Sequence, residues 1–109
     1  MIELSAEHLR IVKDILAKYP YTFYAFGSRV KKEHKKFSDL DICFMEPIPL
    51  NVLSHIDEDF EESDLPFKVD VVNYLTCDKN FQNMIKKDLI LLSMGPHGDL
   101  LADLSTKCL

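Results

Sequence analysis

Three aspartates in this chain are spaced for oxygen-ligand chemistry. Asp39 and Asp41 stand two apart in the run Asp39 to Phe44, where Leu40, Ile42 and Phe44 alternate with Asp39, Asp41 and Cys43. That is the period of a half-buried strand, with the first set inward. Residues i and i+2 of a strand point the same way, about 6–7 Å apart. Both carboxylates can therefore converge on one or two ions. Asp70 occupies the corresponding side of a second run, Phe67 to Val72, opposite Phe67, Val69 and Val71. If the two strands are neighbours, three carboxylates crowd one spot. At about 4 Å and an effective dielectric near 20, each like-charged pair repels by about 4 kcal/mol. A divalent cation would offset that cost, and oxygen-only ligands select Mg²⁺ or Mn²⁺ over zinc. Taken singly, each acid is more often a solvated side chain on a polar face. Aspartate is depleted in strands, however, and three on non-core faces need a further reason.

Ahead of these acids, the aromatic, β-prone stretch Tyr21 to Phe26 runs into Gly27 and Ser28. A glycine there lets the backbone approach a phosphate closely. The N–H groups that follow, and the Ser28 hydroxyl, then supply donors to its oxygens. The pattern is not a Walker A loop, because GxxxxGK[ST] is absent. Arg29, Lys31, Lys32, Lys35 and Lys36 follow; such a run is commonly a solvated loop, but its place between the glycine and the aspartates suits a polyphosphate.

The elements that must hold these residues are legible in outline. Residues 5–19 form an amphipathic helix, capped by Ser5, with Leu9, Val12, Ile15, Leu16 and Tyr19 on one stripe and Pro20 as its stop. Residues 28–37 are a polar loop or a short exposed helix. After Pro47 and Pro49, residues 50–62 give a second helix, Leu53, Ile56 and Phe60 inward and a carboxylate-rich side outward. Pro66 opens the strand that carries Asp70. Asp78 caps a helix with Phe81, Met84 and Ile85, and Leu89 to Leu92 makes a short edge strand or continues that helix. The order predicts an α/β (α+β) domain, a small mixed sheet with helices packed on one face. Its expected extent is residues 1–94, with residues 95–109 as a C-terminal tail.

Composition narrows the setting. A chain of 109 residues with 47% hydrophobic and 28% charged residues is the size and balance of one globular domain. Its net charge of −5 argues against direct nucleic-acid binding over the whole surface. Cys43, Cys77 and Cys108 form no CxxC pair, so neither a zinc site nor a disulfide framework is indicated. His8, His34, His55 and His97 have no ligand spacing. No apolar run approaches the ~20 residues of a membrane helix, and the start has no signal-peptide pattern, so a cytoplasmic protein is expected.

Gly27-Ser28, ten residues, then Asp39-Leu40-Asp41 resembles the GS-x10-DxD signature of the polymerase-beta-like nucleotidyltransferase superfamily. Ala25-Phe26-Gly27-Ser28-Arg29 and Ser38-Asp39-Leu40-Asp41-Ile42 are similar to its minimal nucleotidyltransferase (MNT) branch, and Val69-Asp70-Val71-Val72 matches the third acid. The likeness runs from the first helix to about residue 92, with Val30 and Lys32 where many members have a small residue and a glycine. The resemblance implies the polymerase-beta-like nucleotidyltransferase fold. It implies that Asp39, Asp41 and Asp70 hold Mg²⁺ (or Mn²⁺), that Asp70 helps deprotonate the attacking hydroxyl, and that Gly27 and Ser28 position the β,γ-phosphates. It further implies transfer of AMP from ATP, or another NTP, onto a tyrosine of a HEPN-type toxin partner. Two alternatives stay open: an antitoxin acting by contact alone, and a small-molecule nucleotidyltransferase that needs a second chain. Whether the chain forms a homo-oligomer is also open.

Overall fold

The computed structural model describes residues 2, 4–27, 30 and 39–95. Helix α1 (Ala6–Leu16) leads into strand β1 (Phe23–Phe26), and β2 is Leu40–Phe44. Helix α2 (Leu50–Glu61) connects β2 to β3 (Val69–Asn73), after which α3 (Lys79–Ile85) and β4 (Ile90–Ser93) complete the domain. Single 3₁₀ turns follow β3, at Tyr74–Thr76, and α3, at Lys86–Asp88. The sheet order is β3-β2-β1-β4. β1 runs antiparallel to both β2 and β4, whereas β2 and β3 are parallel. Parallel neighbours need a crossover, and α2 provides it.

Ser5 caps α1 as the sequence indicates, its hydroxyl accepting from the His8 N–H at 3.1 Å. The helix stops at Leu16 rather than Tyr19. The N–H groups of Lys18 and Tyr19 instead bond back three residues, to Ile15 and Leu16, the tightening common at a helix end. That turn directs the Tyr19 hydroxyl to donate to Asp59 of α2, beside a Lys18–Asp59 ion pair of 3.1 Å. Two elements distant in sequence are joined there.

The main core lies between the sheet and the pair α1 and α2. Phe23 and Ala25 of β1, Leu40, Ile42 and Phe44 of β2, and Val69 of β3 face Val12, Leu16, Ile56 and Phe60. The α/β class and the small mixed sheet agree with the sequence reading, but the helices are not all on one face. α3 packs on the other side, where Ile85 and Phe81 meet Phe26 and Cys43. Phe81 sits edge-on to Phe26, centroids 5.8 Å apart. The cause is the second set of alternating side chains: Tyr24, Phe26, Cys43 and Val72 are apolar enough to need cover. Cys43, grouped with the aspartates by sequence, is fully buried. Met84, expected inward, is 53% exposed, because the i, i+4 pair Phe81 and Ile85 makes the contact.

Candidate active site

Parallel pairing of β2 with β3 sets Leu40 beside Val69, Asp41 beside Asp70 and Ile42 beside Val71. The acids are thus direct cross-strand neighbours, on the same face of the sheet as Phe26, Cys43 and Val72, against which α3 packs. Antiparallel pairing with β1 places Phe26 opposite Asp41, so the chain leaves β1 at Gly27, immediately over that carboxylate. Gly27 has φ +88°, a left-handed conformation that glycine adopts without strain. A Cβ at this position would collide with the Asp41 carboxylate oxygen and lie 3.3 Å from its Cγ. Glycine therefore serves twice, for the turn and to leave room for the Asp41 carboxylate. The Val30 N–H donates to the Gly27 carbonyl at 3.1 Å, which tightens the turn. Ser28, Arg29 and the lysines of residues 31–36 lie outside the described residues.

Charge ties the three acids together. Asp41 is half-buried, and its carboxyl is pushed from an ordinary 3.8 up to about 6. Burial is the first cause, the charge of Asp70 the second and that of Asp39 the third. Asp39 itself is exposed, just ahead of β2. Lys68, two residues before Asp70 on β3, reaches its Oδ1 at 3.7 Å, but both groups are open to water, so the pair is worth little. Among the described residues no three His, Cys, Asp or Glu side chains are gathered tightly enough to hold a metal ion. The acids are neighbours rather than a closed cage. Their donor chemistry and mutual repulsion fit a hard cation that keeps several waters and arrives with phosphate oxygens. They do not fit a permanently caged ion.

One part of the neighbourhood escaped the sequence reading. Asp57 of α2, grouped there with the outward, carboxylate-rich side, lies within the field of the site. Its carboxyl is pushed up by burial first, then by Glu61 and by Asp70, against an opposing pull from Lys68. No periodicity pairs a helix acid with a strand acid; the pairing exists only because α2 crosses over the β3 edge. Cys43 offers no chemistry at the site. Burial first, and Cys77 second, push its thiol up to about 12, leaving it protonated and inert.

Residues 6–92 match the family described as nucleotidyltransferase domain. The chain is 40% identical over 95 residues to a Haemophilus influenzae protein named probable protein adenylyltransferase MntA, spanning 84% of this chain and 83% of that one. A chain in the crystal structure of a toxin-antitoxin with AMP-PNP shares the fold, with a TM-score of 0.65 at 18% identity. The overlap covers 92% of this chain and 84% of that one. Among the described residues no helix is long and apolar enough to cross a membrane.

Proposed function

The chain belongs to the nucleotidyltransferase domain family, and from that premise we propose that it transfers AMP from ATP onto a tyrosine hydroxyl of a HEPN-type toxin partner, acting as the antitoxin. The observation that carries this reading is the Asp41–Asp70 pairing beside a positive-φ glycine whose missing Cβ makes room for the Asp41 carboxylate. A 40% identical relative named probable protein adenylyltransferase supports the acceptor class. A toxin-antitoxin structure of the same fold, solved with an ATP analogue, supports the setting.

In this reading the acceptor oxygen bonds to the α-phosphorus as the bond to the bridging oxygen breaks. Pyrophosphate leaves with the electron pair, and the hydroxyl proton passes to Asp70 and then to solvent. Gly27 and Ser28 hold the β,γ-phosphates through backbone N–H groups and the serine hydroxyl. Asp39 and Asp41 would hold Mg²⁺ (or Mn²⁺) on the phosphates, and Asp41 with Asp70 a second ion by the acceptor. When bound, these ions supply charge neutralisation at the attacking and leaving oxygens. The protein's own contribution is positioning, which accounts for much of the barrier reduction in such reactions. The domain of residues 1–94 carries this activity, in the cytoplasm where ATP and Mg²⁺ are available.

The test uses labelled ATP, Mg²⁺ and the purified protein encoded by the adjacent gene, with intact-mass analysis of both chains. A mass increase of one AMP on the partner, lost in Asp39→Asn with Asp41→Asn, is the expected result. Partner inhibition that persists undiminished in the double variant, with no mass change in either case, would establish inhibition by contact alone.

A further inference from the structure

Outside β3, on the side away from β2, α2 and the sheet edge enclose a groove of about 520 Å³. Phe60 and Phe67 form its buried floor; Asp57, Glu61 and Asp70 stand on its rim, with Lys68 the cation among them. The volume lies within the range of about 300–1,000 Å³ typical of ligand clefts. Strand order makes its location informative. Gly27 ends β1, Asp41 is on β2, Asp70 is on β3, and the groove lies one step further out. In-line displacement requires the acceptor oxygen and the departing pyrophosphate on opposite sides of the α-phosphorus. With the phosphates on the Gly27 side, the acceptor must come from the Asp70 side, where the groove opens. Gly27, Asp39 and Asp41 are not among its lining residues, so the groove is separate from the place proposed for the phosphates.

Helix energetics point the same way. The last turn of α2 has no basic residue, while Asp57, Glu58, Asp59 and Glu61 crowd its C-terminal half and Glu62 follows as its C-cap. Carboxylates there oppose the helix dipole. Asp59 is held by Tyr19 and Lys18. Among the described residues neither Asp57 nor Glu61 forms an ion pair. A cationic occupant of the groove would offset that unfavourable placement.

We infer that this groove seats the acceptor: a segment of the partner protein in which the tyrosine to be modified lies next to an arginine or lysine. The ring rests against Phe60 and Phe67, the cation faces Asp57 and Glu61, and the hydroxyl points to Asp70. Flat aromatic and guanidinium groups are the usual anchors of such pockets. The inference rests on the adenylyl-transfer reading for the identity of the reacting group, but the docking itself is separable from transfer.

The probes are two short synthetic peptides, one with a single tyrosine between arginines and one with the same tyrosine between glutamates. The full chain is compared with Asp57→Lys plus Glu61→Lys, and with the milder Asp57→Asn plus Glu61→Gln. Lysines near a helix C-terminus are favoured, so the charge-reversed chain is expected to melt no lower than the parent. Peptide binding is read by fluorescence anisotropy, transfer by mass, and nucleotide affinity by titration of a non-hydrolysable ATP analogue with Mn²⁺. Reversal should weaken binding and raise KM for the arginine peptide by about tenfold or more, leave kcat and nucleotide affinity within about twofold, and turn the preference toward the glutamate peptide. Binding of the arginine peptide that reversal abolishes, without any transfer, would uphold the groove and defeat the transfer reading. Transfer with the same KM in all three chains would overturn the groove and spare the reaction. Neither binding nor transfer by the parent would overturn the groove as well.

Discussion

A side chain at Gly27 would occupy the same space as the Asp41 carboxylate: the missing Cβ is what separates the first strand's turn from the first buried acid. Gly27→Ala therefore carries two penalties. A non-glycine residue at φ +88° costs about 1–2 kcal/mol, and the collision forces Asp41 or the turn to move. The expected result is a stability loss of about 2–3 kcal/mol in chemical denaturation, with AMP transfer reduced about 100-fold or more, since misplacement of about 1 Å costs that much. Transfer within tenfold of the parent would show that the Gly27 turn does not position the phosphates.

The raised pKa of Asp41 has a definite consequence for stability. Its folded value is about 6 and its ordinary value 3.8, so between those values the folded chain binds more protons than the unfolded chain. Stability then falls as pH rises from about 4 to 6, and stays lower above it. Half of this group faces solvent, so the penalty is discounted to about 1 kcal/mol. Asp41→Asn removes it. The metal-free variant should be more stable than the parent by about 1 kcal/mol at pH 7.5 and equal to it near pH 3.5, while its transfer activity is lost. Denaturation curves at the two pH values check the sign; a variant less stable at pH 7.5 would place the strain elsewhere.

What the sequence made legible follows from period and end signals. Leu40, Ile42 and Phe44 are a period-2 set that face the core as read, and Ser5 and Asp78 cap the helices they precede. The Asp41–Asp70 adjacency also followed from parity once the two strands were neighbours. Cys43 was misread because a thiol in an alternating pattern passes for the polar member, while its burial comes from Phe81 and Ile85 of α3, far later in the chain. Asp57 was missed for a related reason: on α2 alone it belongs to a solvated stripe, and only the crossover onto β3 brings it into the field of Asp70. Local patterns carry strand faces and caps; they do not carry which second layer covers a face.

Gly95 is a second position where added volume meets backbone. A Cβ there would lie 2.7 Å from the Tyr21 nitrogen and 2.8 Å from the Pro20 carbonyl oxygen, and backbone cannot rotate away. Its N–H donates to the buried Thr22 hydroxyl at 3.0 Å, and the Thr22 N–H donates to Glu46 at 3.1 Å. Gly95→Ala should pull the end of β4 from this network and cost about 1–3 kcal/mol, with nucleotide affinity unchanged. Hydrogen exchange of the β4 amides is the sensitive readout; protection equal to the parent's would show that the turn after β4 accommodates the methyl.

Tyr19 and Asp59 test whether the α1–α2 junction is structural and separate from the chemistry. The Tyr19 hydroxyl donates to the Asp59 carboxylate, which also pairs with Lys18 at 3.1 Å. Hydrogen bonding from Tyr19 first, then from Lys18, holds the Asp59 carboxyl below its ordinary value. Burial first, then the same hydrogen bond, pushes the Tyr19 hydroxyl up to about 12. Tyr19→Phe keeps the ring and removes the donor, so it should cost about 0.5–1 kcal/mol, the lower part of the range for a hydrogen bond, because the partly exposed Asp59 keeps its ion pair with Lys18. The sign with pH is set by Asp59. A carboxylate with a lowered folded pKa contributes stability above its ordinary pKa and loses it as pH falls through the folded value. The parent's advantage over Tyr19→Phe should therefore be complete at pH 7 and shrink below about pH 4. Transfer activity should be unaffected, since neither residue belongs to the Gly27, Asp41 and Asp70 cluster. Parallel urea titrations at pH 7 and pH 3.5 measure the difference, and an advantage that grows on acidification would mean that Tyr19 stabilises the fold by some route other than the charged Asp59.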